Sequence, residues 1–379
     1  MEIGRKRTIR YIDIKPISED LFVVDDPLSV FDSFIINKLT LMIMFLFDGT
    51  RTEEEVRTEI IKRTGIFIPS DQFNELLNFF DQNGLFLDDS FYLAKRTRIE
   101  ELKRKGFLDS YFSDKDFPSD PRELISFLKI DEINGYGEYV AAVMPHIDLR
   151  IAADTYSKTY GKLNRFGYKR VFIFGVSHYF HNGLFSVCPL DWLTPFGILN
   201  TDKEIVTNLS STFNFDIFEN ILSYRKEHSI AFHLPYIKNL FDELKIVAIL
   251  VSYSDDIEFS KRSLSKLADF IASNYPDSLF ISSVDFSHVG GKFGDDNLID
   301  PEDVDRKYLD FIVDVNPDES LDYLMKIDNF TRIDGILTNY LFLKVIQNIG
   351  IKRGDLIDYK KYFEKVTNSI VSYSSVVFR

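Results

Sequence analysis

Cysteine is almost absent from this sequence: Cys188 is the single thiol in 379 residues. One thiol excludes an intramolecular disulfide and a metal cluster built from several thiolates. Long apolar runs are also missing, since the longest apolar stretch, Phe34 to Phe47, contains polar residues and is too short to span a bilayer. The N-terminus lacks the apolar core of a secretory signal. These absences predict a cytoplasmic protein without membrane contact.

Basic residues are fewer than acidic residues in this sequence. The 45 Lys and Arg residues face 59 Asp and Glu residues, which gives a formal net charge of −14. Such a balance disfavours binding to nucleic acids and to anionic membranes, because both need cationic contacts. Apolar residues make up 45% of the chain, which is enough for a sizeable core.

Residues 1–93 have the pattern of a small, mostly helical domain. Thr52 followed by Glu55 is a capping box that opens a helix reaching about Thr64. Gly84 suits the position just after a third helix. We predict a winged-helix domain with the following elements: a helix at 39–47, a helix at 52–64, a strand at 66–68, a helix capped by Ser70, and a hairpin wing pairing 85–87 with 91–93.

Two stretches of this domain, Leu46–Val56 and Phe80–Phe86, resemble the PqqD-like domains. Members of that family bind leader peptides or act as small interaction modules. The candidate recognition helix, Asp71–Asn83, holds three acidic residues and no Lys or Arg, which argues against DNA. Peptide binding and a purely structural docking or dimerisation role both remain open.

Residues 94–106 are predicted to form a charged helical linker, and residues 107–379 have α/β character. Alternating apolar strands and helices indicate a mainly parallel central sheet flanked by helices. The predicted strands are at 139–144, 171–174, 246–251 and 279–283.

Two histidines directly follow predicted strands. His146 follows a strand that ends at Pro145, and His178 follows one that ends at Gly175. Because ligands of open α/β folds bind at the carboxyl ends of strands, two imidazoles there suggest half of a metal site. The alternative for each histidine alone is an ordinary loop residue with a hydrogen bond.

Three further polar residues are candidates for chemistry. His228 is a candidate general acid/base, and the adjacent Glu227 would hold its tautomer or raise its pKa. Asp285 could orient a ligand histidine, and His288 could contact substrate. The alternatives are a helix-start residue for His228 and a loop cap for Asp285. His233, five residues after His228, is interpreted as structural.

Five ordered motifs within residues 107–379 resemble those of the Memo family, which includes the bacterial AmmeMemoRadiSam system protein B. They are Pro145-His146, Gly175-Val-Ser-His178, Glu227-His228-Ser229, Leu234-Pro235 and Ser283-Val-Asp-Phe-Ser-His288. The resemblance implies kinship with the LigB-type class III extradiol dioxygenases. It also implies that His146 and His178 bind a divalent metal, and it suggests a radical-SAM protein and an AMMECR-type protein as partners.

The third metal ligand of that family is a cysteine in a Cys-Gly pair, and in this sequence Asp334-Gly335 stands at its place. Two histidines and one carboxylate suit Fe(II), with Zn and Cu as alternatives. Asp334 also precedes a predicted helix, so it could instead be an ordinary helix cap. Cys188 lies far from the motif and is interpreted as a packing residue.

Three functions follow as hypotheses. The first is a metal-dependent, dioxygenase-like oxidoreductase acting on a small molecule or a peptide in a radical-SAM-associated modification pathway. The second is a zinc-dependent hydrolase with His228 as base. The third is a non-catalytic protein- or peptide-binding module.

Overall fold

The computed structural model describes residues 5–133, 137–179, 182–241 and 243–379. The chain forms two compact units, which divide between Gly106 and Phe107. Among the helices of the described ranges, none combines the length and the apolar character needed to cross a membrane.

The described residues of the first unit form five short strands and four helices. The strands are β1 (Lys6–Thr8), β2 (Asp13–Pro16), β3 (Leu21–Asp25), β4 (Phe34–Asn37) and β5 (Asp48–Thr52). The helices are α1 (Lys38–Phe45), α2 (Glu53–Thr64), α3 (Ser70–Gln82) and α4 (Asp89–Lys105). Strands β2, β3 and β4 form an antiparallel sheet, and β1 pairs with β5.

The core of this unit is built around Phe47, whose ring meets Phe86 at 5.2 Å and Phe80 at 6.3 Å, both edge to face. The predicted capping box of α2 is confirmed. The Thr52 hydroxyl accepts from the backbone N–H of Glu55, and the Glu55 carboxylate accepts from the backbone N–H of Thr52 at 2.8 Å. Gly84 follows α3 with φ +54.

The hairpin wing predicted for this unit is wrong, because residues 91–93 lie in α4. Asp88 explains the difference: its carboxylate accepts from the backbone N–H groups of Ser90 and Phe91 and so caps a helix. Residues 94–105, predicted to be a charged helical linker, are helical and continue α4. The predicted strand at 66–68 is also absent, and Ser70 is the first residue of α3 and not its cap.

The second unit holds the remaining elements. Its strands are β6 (Phe107–Leu108), β7 (Ala141–Met144), β8 (Arg170–Val176), β9 (Phe185–Val187), β10 (Asp191–Thr194), β11 (Gly197–Leu199), β12 (Lys245–Val251), β13 (Leu279–Ser283), β14 (His288–Gly290), β15 (Gly354–Glu364) and β16 (Ser369–Phe378). Its helices are α5 (Pro121–Phe127), α6 (Leu149–Tyr160), α7 (Lys203–Phe213), α8 (His228–Ala231), α9 (Leu234–Leu240), α10 (Ile257–Asn274), α11 (Glu302–Val313), α12 (Pro317–Lys326) and α13 (Ile336–Asn348).

The central sheet has eight strands and is mixed. Its order is β14-β16-β7-β13-β8-β12-β9, with β15 paired to β16. The four middle strands β7, β13, β8 and β12 are parallel, whereas β9, β14, β15 and β16 pair antiparallel. The prediction of a mainly parallel sheet therefore holds for the centre and not for the whole sheet.

Both faces of the middle strands are buried, as expected for parallel strands covered by helices. Phe172 and Phe174 of β8 pack into a core with α10 and α13, while Ile173 between them is buried on the opposite face.

The carboxyl ends of three adjacent strands, β7, β13 and β8, lie at one edge of the sheet. His146 follows β7, Asp285 follows β13 and His178 follows β8. The sheet topology thereby brings together segments that are far apart in sequence.

Candidate metal centre

Three imidazoles meet at this edge. The ring of His146 lies 5.0 Å from those of both His178 and His228, and the rings of His178 and His228 are 4.3 Å apart, measured between centroids. One ring nitrogen from each histidine lies within 4.8 Å of the others, close enough to hold a metal ion.

His146 is held by β13 and by the loop after it. Its Nδ1–H donates to the backbone carbonyl of Ser283 at 3.1 Å. The Asp285 carboxylate accepts from the backbone N–H groups of His146 and Ile147, at 2.9 and 3.0 Å. Burial lowers the pKa of His146, but Asp285 and Asp334 outweigh it and raise this pKa. With Nδ1 engaged, Nε2 is the atom presented to the site.

Glu227 holds His178 by accepting hydrogen bonds from both its ring and its backbone. The Nδ1–H of His178 donates to Glu227 Oε1 at 2.8 Å, and the backbone N–H of His178 donates to Oε2 at 3.0 Å. Glu227 is fully buried, and although burial raises its pKa, His178 lowers it to about 2. A carboxylate behind a histidine fixes the tautomer and makes the opposite nitrogen a better ligand.

His228 differs from the other two in the direction in which its pKa is shifted. Burial and the neighbouring imidazoles of His178 and His146 hold its pKa well below the usual range. Its Nδ1 lies 3.6 Å from Glu227 Oε1. His228 is therefore a neutral imidazole beside the pair, suited to accept a proton or to ligate a metal.

Asp334 brings a carboxylate to the histidines. Its Oδ2 lies 2.9 Å from His146 Nε2 and 3.6 Å from His178 Nε2. Burial raises the pKa of Asp334, but both imidazoles outweigh it and hold this pKa well below its usual value. The helix α13 that follows is capped by Gly335, so Asp334 is not its N-cap. Asp334 Oδ1 accepts the backbone N–H of Gly335 at 2.7 Å.

Gly335 is tightly enclosed, and we expect Gly335→Ala to displace Asp334. Gly335 has φ +58, and an added Cβ would lie 2.4 Å from Val284 Cγ1 and 2.7 Å from Val176 Cγ2. Strain and overpacking together should cost about 2–4 kcal/mol, which thermal unfolding would measure. The matched control is Gly350→Ala, because Gly350 has φ +95 and open space around it. Equal destabilisation of the two variants would contradict the predicted clash.

A cavity of about 460 Å³ adjoins the site. His178, Asp334 and His288 line it, while much of its wall is apolar. His288 Nδ1–H donates to the backbone carbonyls of Phe286 at 2.8 Å and Arg332 at 3.2 Å, so Nε2 is left as an acceptor. The guanidinium of Arg332, also at the wall, is paired with Asp295 at 2.6 Å. The cavity has room for a small organic molecule.

The family model described as Memo-like protein matches residues 114–377 of this chain, which include all of these residues. The chain belongs to the Memo family.

Relatives in the Memo family include both bacterial and vertebrate proteins. A MEMO1 family protein of Aquifex aeolicus is 38% identical over 98% of this chain and 100% of its own length. A MEMO1 family protein of Thermus thermophilus is 27% identical over 86% of this chain and 99% of its own length. Protein MEMO1 of Danio rerio is 32% identical over 40% of this chain and 52% of its own length.

The structure of this Memo-family chain brings together four of the predicted site residues: His146, His178, His228 and Asp334. The Asp285 carboxylate accepts a hydrogen bond from the backbone N–H of His146. His288 lies at the cavity wall, outside the group of three imidazoles.

One predicted contact needs correction. Glu227 was expected to serve His228 and raise its pKa, but its carboxylate lies closer to His178, and the pKa of His228 is lowered. Because Glu227 and His228 are adjacent in sequence, sequence reasoning assigned them to each other. The contact with His178 depends on how α8 packs against β8.

Ser283 begins the fifth motif, but its role at the site was not predicted from the sequence: its backbone carbonyl accepts from His146 Nδ1. Ser283 is the last residue of β13, and the small polar residues at the end of this otherwise buried strand were the available signal. Cys188 is fully buried, and burial raises the pKa of its thiol, which fits a packing role.

Proposed function

We propose that this chain is a metal-dependent oxidoreductase whose ion is held by His146, His178 and Asp334. The observation that carries the proposal is the environment of the Oδ2 atom of Asp334. This atom is buried, makes no hydrogen bond of normal geometry, and points at the Nε2 atoms of two histidines whose Nδ1 atoms are already engaged. Buried polar atoms without a hydrogen bond are rare, and coordination of a metal ion is one explanation.

The donor atoms suit a divalent metal. Ligand atoms about 2.1 Å from a shared ion lie roughly 3–3.5 Å apart, and Asp334 Oδ2 lies 2.9 and 3.6 Å from the two Nε2 atoms. Two imidazoles and one carboxylate on one side of an ion are typical of non-heme Fe(II). When bound, Fe(II) would supply redox capacity towards O₂.

The other residues support binding and proton movement. Asp285 and Glu227 orient the two ligand histidines. Neutral His228 would accept a proton from a substrate group at the site. The cavity would hold a small-molecule substrate beside Asp334, with its apolar wall excluding water and His288 Nε2 accepting a hydrogen bond from it.

Metal content after anaerobic purification tests the proposal. We expect near-stoichiometric iron in the wild type, and its loss in His178→Ala, because that variant removes one of three ligands. His288→Ala is the matched control, since His288 lines the cavity but lies outside the group of imidazoles.

Screening of O₂ uptake with the iron-loaded protein would follow. Iron retained in His178→Ala, or a wild type that takes up no metal even after reconstitution, would contradict the proposal. The second outcome would leave the non-catalytic binding module as the better hypothesis.

A zinc-dependent hydrolase is a second candidate, and one observation favours it. His146, His178 and His228 form a three-histidine group, and three histidines with an open position are a known arrangement for catalytic zinc. Bound zinc would lower the pKa of a water molecule that it ligates to a near-neutral value. Stoichiometric zinc in place of iron, together with loss of metal in His228→Ala, would support this function over the first.

A further inference from the structure

Arg332 holds a guanidinium in a fixed orientation at the wall of the cavity. Its Nη1 and Nη2 atoms donate to the two carboxylate oxygens of Asp295, at 3.0 and 2.6 Å. Nη1 also donates to the backbone carbonyl of His288 at 3.1 Å. Asp295 is itself anchored, because its Oδ2 accepts from the backbone N–H of Gly290 at 2.8 Å. Three hydrogen bonds to anchored groups therefore fix the plane of the guanidinium.

One edge of this guanidinium is left open. A guanidinium has five N–H groups, and the three hydrogen bonds use both hydrogens of Nη1 and one of Nη2. The other two, Nε–H and the second hydrogen of Nη2, lie on one edge, and neither finds an acceptor within the part of the chain that the structure describes. The side chain of Arg332 is 42% exposed and lines the cavity together with His178 and Asp334.

We propose that Arg332 is a specificity-determining residue whose open edge binds the carboxylate of a substrate in the cavity. The inference rests on the proposed function, because it names the chemical class of the substrate that would lie beside the metal. Two parallel N–H groups match the two oxygens of a carboxylate, and this pairing is stronger than a hydrogen bond between neutral groups. Asp295 and the carbonyl of His288 orient the edge before substrate binds, which lowers the entropic cost of binding.

The charges around Arg332 favour a ligand with one negative charge over a ligand with two. Asp295 already balances the charge of Arg332, and Asp296 and Asp328 line an adjoining depression to which Arg332 also contributes. A phosphate dianion would be repelled by these carboxylates more strongly than a carboxylate would. Because much of the cavity wall is apolar, the expected substrate is a monocarboxylate with an apolar body.

The test titrates the metal-free, full-length protein with two probes of similar shape, cyclohexanecarboxylate and cyclohexylmethanol. The Nε–H signal of Arg332 in ¹H–¹⁵N spectra is assigned by its loss in Arg332→Lys. We expect this signal to move downfield with the carboxylate and to stay in place with the alcohol. A signal that moves with both probes, or with neither, would overturn the inference.

Arg332→Lys gives a second readout, the affinity for cyclohexanecarboxylate. Lysine keeps the positive charge but lacks the paired N–H groups, so we expect affinity to fall about tenfold. Arg306→Lys is the matched control, because Arg306 is 47% exposed, pairs with Glu302 at 3.2 Å and does not line the cavity. Equal affinity in the wild type and Arg332→Lys would place the probe elsewhere and overturn the inference, as would equal losses in the two variants.

These measurements need no metal, so they separate the inference from the proposed function. A protein that takes up no iron or zinc but shows the Nε–H shift would contradict the metal-dependent function and keep the carboxylate site. A protein that binds metal and shows no Nε–H shift would contradict the carboxylate site alone.

Discussion

Asp334→Asn is expected to reduce metal affinity by more than the roughly 10–100-fold that loss of an outer partner costs. The substitution removes the only carboxylate that lies within 3.6 Å of both ligand nitrogens in the described residues. The amide oxygen can keep the hydrogen bond with the Gly335 backbone, so the turn before α13 should persist. Anaerobic titration with iron, together with thermal unfolding of the metal-free protein, would measure the effect.

Asp334→Cys is the companion variant. A thiolate keeps the negative charge but is a soft ligand, so we expect the variant to bind metal with a preference shifted from Fe(II) towards Zn and Cu(I). Wild-type affinity in Asp334→Asn would remove Asp334 from the ligand set. An unchanged metal preference in Asp334→Cys would carry the same meaning.

Glu227→Gln should weaken metal binding about 10–100-fold although the residue is not a proposed ligand. The two carboxylate oxygens of Glu227 accept three N–H groups: His178 Nδ1–H and the backbone N–H groups of His178 and Ser229. A glutamine has one oxygen and one NH₂ group in place of the two carboxylate oxygens. Its NH₂ group must therefore face at least one of these three N–H groups, which are also donors. The ring of His178 can escape this clash by moving its hydrogen to Nε2, which then cannot ligate.

Asp202→Asn is the control for loss of a buried carboxylate. Asp202 caps α7, and its carboxylate lies 3.3 Å from the guanidinium of Arg170. Arg170 is the first residue of β8, whereas His178 follows the last, so Asp202 lies at the opposite end of this strand from His178. We expect it to lower the unfolding temperature and to leave metal affinity unchanged. If Glu227→Gln also changed only the unfolding temperature, its role would be structural.

The sequence was sufficient to predict the middle of the sheet and the ligand pair. Continuous apolar runs such as 171–174 predict buried parallel strands, and these strands place His146 and His178 at the same edge. The antiparallel strands β14 and β15 were not predicted, because pairing depends on contacts between distant segments. Asp334 was identified by its resemblance to a family motif, since its distance to His146 arises from the packing of α13.

The errors in the N-terminal unit have a local cause. Residues 91–93 are apolar and aromatic, which suits a strand. The carboxylate of Asp88 decides otherwise, because it caps a helix and is itself held by Arg7 at 2.9 Å. That ion pair joins residues 81 positions apart, so no local pattern reveals it.

The sheet order has a consequence for metal selectivity. β7 and β8, which carry the two ligand histidines, are not neighbours, since β13 runs between them. Two inter-strand spacings separate their backbones by roughly 10 Å, and the side chains lean inward until the rings are 5.0 Å apart. Each ligand histidine lies two residues beyond the end of its strand, so the backbone hydrogen bonds of the sheet set the spacing from which both side chains start. We therefore expect this rigid frame to select metal ions by their radius. A change in the preferred ion would require a change in the ligand residues and not in their spacing.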